Sequence, residues 1–164
     1  MLKTIVAGGF DPVHRGHLDH IRKARALGDR LIVITHPDAI LLRKKGYCLL
    51  PLADRVEILE AIKWVDEVVV SIDEDGTVAK TLEKIRQNSS GELAFAKGGD
   101  RTPMNMPANE IETCERLGIK IIYGVGNEIG HSQELVSNLL KQIQGQAGQL
   151  PPRFIGAACE RRDE

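Results

Sequence analysis

The chain has little cysteine and no long apolar run. Cys48, Cys114 and Cys159 are its three cysteines in 164 residues. An odd set without C-x-x-C spacing argues against a disulfide framework and reads as the reduced thiols of a cytoplasmic protein. No apolar stretch approaches the roughly 20 residues that cross a bilayer, so no membrane partner is expected. The opening residues Met1 to Ala7 run too soon into Asp11 for a secretory leader. Neither sign of charge prevails: 22 Lys and Arg stand against 23 Asp and Glu, a formal net charge of −1. That balance argues against general nucleic-acid binding, which draws on a basic face, and leaves room for a local basic pocket. No internal repeat and no linker interrupts the chain before residue 145.

What is present is the make-up of an ordinary soluble domain, 42% apolar and 27% charged. A chain of this length can bury roughly 70% of its unfolded surface around one core. Five short apolar runs alternate with amphipathic stretches: Leu2–Ala7, Arg30–Thr35, Glu67–Ser71, Leu93–Lys97 and Ile119–Tyr123. Each is β-branched or bounded by turn residues, as buried parallel strands are. Between them, Leu18, Ile21 and Arg25 to Leu27 suit a helix closed by Gly28. Pro51 suits the first turn of the next helix, with Val56, Leu59 and Ile62 inward. Thr77–Arg86 and Pro107–Leu117 follow, the latter ended by Gly118, and a last helix runs from Ser132 to Gln144. The βα alternation predicts an α/β fold, a Rossmann-like, doubly wound, five-stranded parallel sheet with helices on both faces. Ligands of such sheets bind beyond the carboxyl ends of the strands. Residues 1–144 form the expected domain, and the Gly-, Gln- and Pro-rich residues 145–164 a flexible tail or a lid.

Four segments carry candidate chemistry. The first is Gly8-Gly9-Phe10-Asp11-Pro12, followed by His14-Arg15-Gly16-His17. A strand enters a glycine turn and two histidines three apart open a helix. Backbone amides can approach a phosphate closely there, and the helix N-terminus adds partial positive charge. Spacing of three puts both imidazoles on one helical face, and Gly16 leaves room for a shared ligand. A zinc site is the weaker reading, because no Cys, His or Glu stands nearby in a ligand pattern. The second is Leu41 to Tyr47, read as a phosphate-binding loop after a His36-Pro37-Asp38 turn, with Arg43, Lys44 and Lys45 as mobile cations. The third is Arg55, a cation at a helix start where the dipole disfavours it, open to a functional or a surface ion-pair reading. With Asp38 it is a candidate for contacting an acceptor substrate. The fourth is Lys97-Gly98-Gly99-Asp100-Arg101, again leaving a strand, where Asp100 can accept bonds from a sugar hydroxyl.

The Gly8–Asp11 and His14–His17 run resembles the signature of the cytidylyltransferase-like nucleotidyltransferases, an H-x-G-H motif on a Rossmann-like fold. The resemblance spans Leu2 to about Leu140. Class I aminoacyl-tRNA synthetases carry a related motif but are much larger. Within the superfamily, Lys97–Asp100 and Pro51–Arg55 look like heptose-1-phosphate adenylyltransferases, which come first; glycerol-3-phosphate cytidylyltransferases and stand-alone FAD synthetases follow. The resemblance implies a catalytic lysine in the second segment, carried to Lys44 or Lys45 with Lys45 favoured. It implies a phosphate-binding turn at Gly124 to Ser132 that caps the last helix. Ile129 and Ser132 keep that pattern, whereas Gly130 and His131 stand where hydroxyl residues are usual. Lys63–Val69 is similar to the dimer contact of the glycerol-phosphate enzymes, so a homodimer near Trp64 is implied, with a core role as the alternative.

The implied reaction is attack of an acceptor phosphate oxygen on the α-phosphorus of ATP or CTP, with release of pyrophosphate. The partners are a nucleoside triphosphate and a small phosphorylated acceptor, a sugar phosphate such as heptose 1-phosphate first. His14, His17 and Lys45 would stabilise charge on the phosphates. Gly8, Gly9, Phe10, Asp11, Gly16, Lys44, Gly98, Gly99, Asp100, Ile129, His131 and Ser132 would bind the nucleotide. Mg²⁺ would bridge phosphate oxygens, with no protein metal ligands. A non-catalytic nucleotide-binding module is the reading from another class, and Gly130 and His131 are its argument.

Overall fold

The computed structural model describes residues 1–99, 101–126 and 132–145. Five parallel strands, β1 (Leu2–Gly8), β2 (Arg30–Thr35), β3 (Glu67–Val70), β4 (Glu92–Ala96) and β5 (Lys120–Ile122), form one sheet in the order β3-β2-β1-β4-β5. The chain winds outward from β1 through β2 to β3, returns across the sheet to β4, and winds outward again to β5. The order therefore reverses between β1 and β4, and the crevice beyond their carboxyl ends is where such a sheet takes a ligand.

Central strands are buried on both faces, and alternation sorts their side chains into two cores. Ile5, Ile32, Ile34, Leu93 and Phe95 point to one layer, sealed by Val78, by Leu82 and Ile85 of α4 (Ala79–Gln87) and by Cys114 of α5 (Ala108–Leu117). Val6, Leu31, Val33 and Ala96 point to the other, sealed by Ile21 and Ala24 of α1 (Arg15–Arg25) and by Leu59 of α3 (Leu52–Glu60). The doubly wound α/β architecture expected from the sequence is present, with strand ends within a residue or two of those expected.

One helix departs from expectation. Leu41 to Tyr47, read as a loop, belongs mostly to α2 (Asp38–Lys45), which starts after Pro37 and ends on Gly46 at φ 78°. Lys44 and Lys45 thus occupy the last helical turn. Ile40 and Leu41 are buried and Leu42 is exposed, so the apolar residues are consecutive and give no 3.6-residue signal. The inner face of α3 differs too: Arg55 and Leu59 are buried, Val56 only partly, and Ile62 follows the helix. The compact units divide the chain between Gly130 and His131. Of the second unit, the described part is the helix α6 (Ser132–Gly145), which starts at the expected serine.

Gly28 has a different reason from the one its position suggests. α1 ends at Arg25 with Ala26 as its C-cap, so Gly28 is not the helix stop. It lies against β1: a Cβ there would sit 2.7 Å from Thr4 Oγ1 and 2.8 Å from the Leu2 carbonyl oxygen. The backbone of the central strand cannot yield locally. Gly28→Ala is expected to destabilise the fold by about 1–3 kcal/mol through overpacking. Urea denaturation checks this, and an unchanged midpoint would refute the close packing of this turn on β1.

Candidate active site

β1 ends in a turn shaped by sterics and hydrogen bonds. Phe10 takes φ 50°, a conformation rare outside glycine, and is held there by full burial of its ring. A side chain on Gly9 would meet Leu41 Cδ2 at 2.8 Å, so α2 closes directly over the turn. Then α1 begins, and its two motif histidines cap it reciprocally. His14 is the N-cap residue, and its Nδ1 accepts the Gly16 N–H at 3.1 Å. His17 Nδ1 accepts the His14 N–H at 3.3 Å. This is the geometry of a Ser-x-x-Glu capping box built from imidazoles. Both Nδ1 atoms accept, so the hydrogen-bond network assigns the ring proton of each to Nε2. The rings lie 3.8 Å apart by centroid, and Phe10 flanks His17 at 5.0 Å.

A second set of bonds ties this turn to the α2–α3 connection. The Asp11 carboxylate is buried and accepts the Leu49 and Leu50 N–H groups, both at 2.8 Å. Arg55 is fully buried, so it is not the surface ion pair that stood as the alternative to a functional role. Its Nε donates to the Leu50 carbonyl at 3.0 Å. Its Nη1 donates to Gly9 O, Thr35 Oγ1 and His36 O, each at 2.9 Å, and its Nη2 to Asp38 Oδ1 at 2.5 Å. One guanidinium thus braces the ends of β1 and β2, the start of α2 and the start of α3. Partial burial works to raise the Asp38 carboxyl; the bonds from Arg55, the Leu52 N–H and the Cys48 thiol outweigh it and hold it below the usual carboxylate value. Asp38 and Arg55, expected to contact an acceptor, are engaged with each other and with the backbone.

A cavity of about 360 Å³ opens at the crevice between β1 and β4. Gly8 and Gly9 line it from β1, His36 from β2, Lys97 and Gly98 from β4. Lys44 and Lys45 enter from α2, Arg101 from the β4–α5 connection and His20 from α1. The one lining carboxylate among the described residues is Glu110, which accepts the Lys97 ammonium at 3.0 Å and the Val78 N–H at 3.2 Å. Four cations against one paired anion make this an anion site. His14 and His17 stand beside the cavity rather than in its wall, with Lys45 and His20 close enough to His17 to act on its charge. Burial, first, and then the charges of His14, Lys45 and His20 lower the His17 pKa to about 3. Burial likewise lowers His36 to about 4, with Lys44, Arg55 and Lys97 adding to it and Asp73 opposing. Burial also lowers both Lys44 and Lys45 from the ordinary lysine value.

Of the expected site residues, the structure brings together Gly8, Gly9, Lys44, Lys45, Gly98 and the two motif histidines. Phe10, Asp11, Asp38 and Arg55 lie behind them, and Gly99 follows Gly98. Asp100, Ile129 and His131 lie outside the described residues, and Ser132 begins α6. Sequence reasoning missed His20, His36 and Glu110. His20 carried a signal, since it continues the spacing of three from His14 and His17. His36 and Glu110 carried none; they are brought in by strand order and by the α5 docking.

A family model described as Cytidylyltransferase-like matches residues 5–124. An FAD synthase of Thermococcus kodakarensis is 37% identical over 161 residues, 97% of this chain and 95% of that protein. The bifunctional protein HldE of Streptomyces coelicolor is 41% identical over 108 residues, 63% of this chain but 22% of that protein. The lipopolysaccharide core biosynthesis protein of Thermoplasma volcanium shares the fold at a TM-score of 0.60, with 23% identity over 78% of this chain and 99% of that one.

Two outcomes are expected from this geometry. Arg55→Met should cost about 3–5 kcal/mol, because it leaves Asp38 and four other acceptors of the bracing network without their partner; a urea midpoint near wild type would refute the bracing role. His17 and His36 should stay neutral across the physiological range. Each folded pKa lies below the unfolded value of 6.5, so their contribution to stability is full above pH 6.5 and is lost as the pH falls toward 3–4. Imidazole NMR signals of both should not move between pH 5 and 8, and a titration midpoint near 6.5 for either would contradict this.

Proposed function

The chain belongs to the cytidylyltransferase-like family and is a nucleotidyltransferase, and we propose that it transfers AMP from ATP to the phosphate of FMN, forming FAD and pyrophosphate. The observation that carries this reading is the near full-length match to an FAD synthase, which extends over both chains almost from end to end. The HldE match covers a smaller share of this chain and, with Lys97-Gly98-Gly99-Asp100, favours a sugar phosphate such as heptose 1-phosphate as the second reading.

In the proposed reaction, an acceptor phosphate oxygen forms a bond to the α-phosphorus. The bond from that phosphorus to the bridging oxygen breaks, and its electron pair leaves on pyrophosphate. The protein's task is to position the phosphates and to stabilise their charge. With both Nδ1 atoms accepting in the capping box, the ring proton of each histidine sits on Nε2, the atom that would donate to a phosphoryl oxygen. Lys45, in the last turn of α2 and close to Gly9, supplies the charge. The Gly8–Phe10 amides lie on the same side. Mg²⁺ would arrive with the triphosphate as part of the substrate. Among the described residues no three His, Cys, Asp or Glu side chains cluster as a metal site. The unpaired state of Cys48 and Cys114 accords with a reducing, cytoplasmic setting. No described helix is long and apolar enough to cross a membrane. A homodimer through the Trp64 segment belongs to the same reading; Trp64 packs partly on the core, with the Lys63 ammonium 4.9 Å from its ring centre.

Pyrophosphate release from ATP and from CTP, measured with FMN, glycerol 3-phosphate and heptose 1-phosphate, tests the reading. Release with ATP and FMN is expected; release with a sugar phosphate alone would transfer the assignment to the second reading, and none with any pair would leave a binding module. His17→Ala and His14→Ser should each lower kcat roughly 100- to 1000-fold with nucleotide affinity little changed. Serine is a good N-cap, so His14→Ser separates the lost donor from the lost cap. Near wild-type turnover in either variant would remove that histidine from the chemistry.

A further inference from the structure

The cavity has two sides, and α2 divides them. Lys45 turns toward the β1 glycine turn, where its Nζ would lie 3.6 Å from a Cβ on Gly9, and its charge acts on His17. Lys44, one residue earlier and about 100° around the helix, turns the other way. Its Nζ donates to the Gly76 carbonyl in the β3–α4 connection, and its charge acts on His36. The first side faces toward His17, whose charge Lys45 acts on. The second is bounded by His36, Lys44, Gly76, Lys97 and Glu110.

His36 is the anomaly on that second side. It lines the cavity, is only 7% exposed, and its Nδ1 is buried with no hydrogen-bond partner. A buried ring nitrogen left without a partner calls for one. The charged groups facing it are all committed. Arg55, from α3, bonds the His36 carbonyl and the network around it. Asp73, from the β3–α4 connection, accepts from the Lys80 and Thr81 N–H groups at 2.8 and 3.0 Å and from the Thr81 hydroxyl at 2.5 Å. Lys97, from β4, is paired with Glu110, and Lys44, from α2, is bonded to Gly76. His36 lines the cavity, beside the cations Lys44, Lys45, Lys97 and Arg101.

We infer that His36 is the specificity-determining residue for the acceptor: it donates a ring N–H to the phosphate monoester whose oxygen attacks the nucleotide, in a subsite completed by Lys44 and Lys97. This rests on the nucleotidyl-transfer reading above and adds to it the place and chemistry of the second substrate. A neutral imidazole fits the task. It donates one directed hydrogen bond without adding a fifth charge to four cations. The bound phosphate adds negative charge to a lining in which Glu110, paired with Lys97, is the one carboxylate among the described residues, and its oxygens accept from His36 as no neighbouring side chain does.

The test uses the full chain with ¹⁵N-labelled histidine. FMN, riboflavin and glycerol 3-phosphate are added in turn with a non-hydrolysable ATP analogue already bound. The His36 ring signals should shift with FMN and not with riboflavin, which lacks the phosphate, nor with the analogue alone. His36→Asn and His36→Phe should each weaken FMN binding 10-fold or more and leave the Kd of the analogue within twofold. The inference is overturned if the analogue or riboflavin alone moves His36, if FMN affinity survives in both variants, or if neither monoester binds. A shift with glycerol 3-phosphate but not with FMN upholds His36 and overturns FMN as the acceptor, so the two failures are distinguishable.

Discussion

The buried guanidinium of Arg55 is the interaction on which the rest of the site depends. A charge with no exposure is tolerable only when its N–H groups are bonded and a counter-charge is near. Here Gly9, Thr35, His36, Leu50 and Asp38 provide that, and they come from four different elements. The consequence is geometric. The β1 turn, the end of β2 and the entry to α2 cannot shift relative to one another without stranding a buried donor. Asp11 acts the same way from the other side, holding the Leu49 and Leu50 amides. An arginine that looked misplaced at a helix start is therefore well placed, because a carboxylate, a hydroxyl and three backbone carbonyls from outside its own helix accept its N–H groups.

On this frame, the motif histidines cap α1 reciprocally. Capping α1 uses the Nδ1 atom of each ring. That places the ring proton of each on Nε2 in a fixed direction. A serine–glutamate capping box would satisfy the same orphan amides, but its side chains would keep no directed donor of this reach. Burial then keeps His17 neutral, so the donor does not depend on pH in the range where cells work.

The cavity shows the same economy in its charges. Lys44 and Lys45 are neighbours in sequence but diverge around the helix, one toward the glycine turn and one toward Gly76. Lys97 is steadied by Glu110 and by the face of Phe95, 4.2 Å from its ammonium. Neutral His36 and His17 sit among these cations without adding to their mutual repulsion. The arrangement concentrates positive potential where two phosphorylated molecules would meet, in a protein whose net charge is close to zero.

The glycine turn, the pair of histidines at a helix start, the β-branched strands and the βα alternation were all legible in the sequence, because each is set by residues within a few positions of one another; that the two histidines cap the helix reciprocally was not. Helix α2 was not, since Ile40, Leu41 and Leu42 are consecutive rather than spaced by a turn and only one of its faces finds a core. Nor was the interior place of Arg55, whose acceptors lie up to 46 residues away in the chain. His36, Glu110 and the two directions of Lys44 and Lys45 belong to the same class. The sequence by itself determined the elements and the chemistry of the first loop, through local hydrogen bonding and periodicity. The tertiary structure alone decided which strand ends share a crevice, because the order β3-β2-β1-β4-β5 is a matter of long-range packing that sets β1 between β2 and β4 and so gathers a single cavity from residues that no local rule connects.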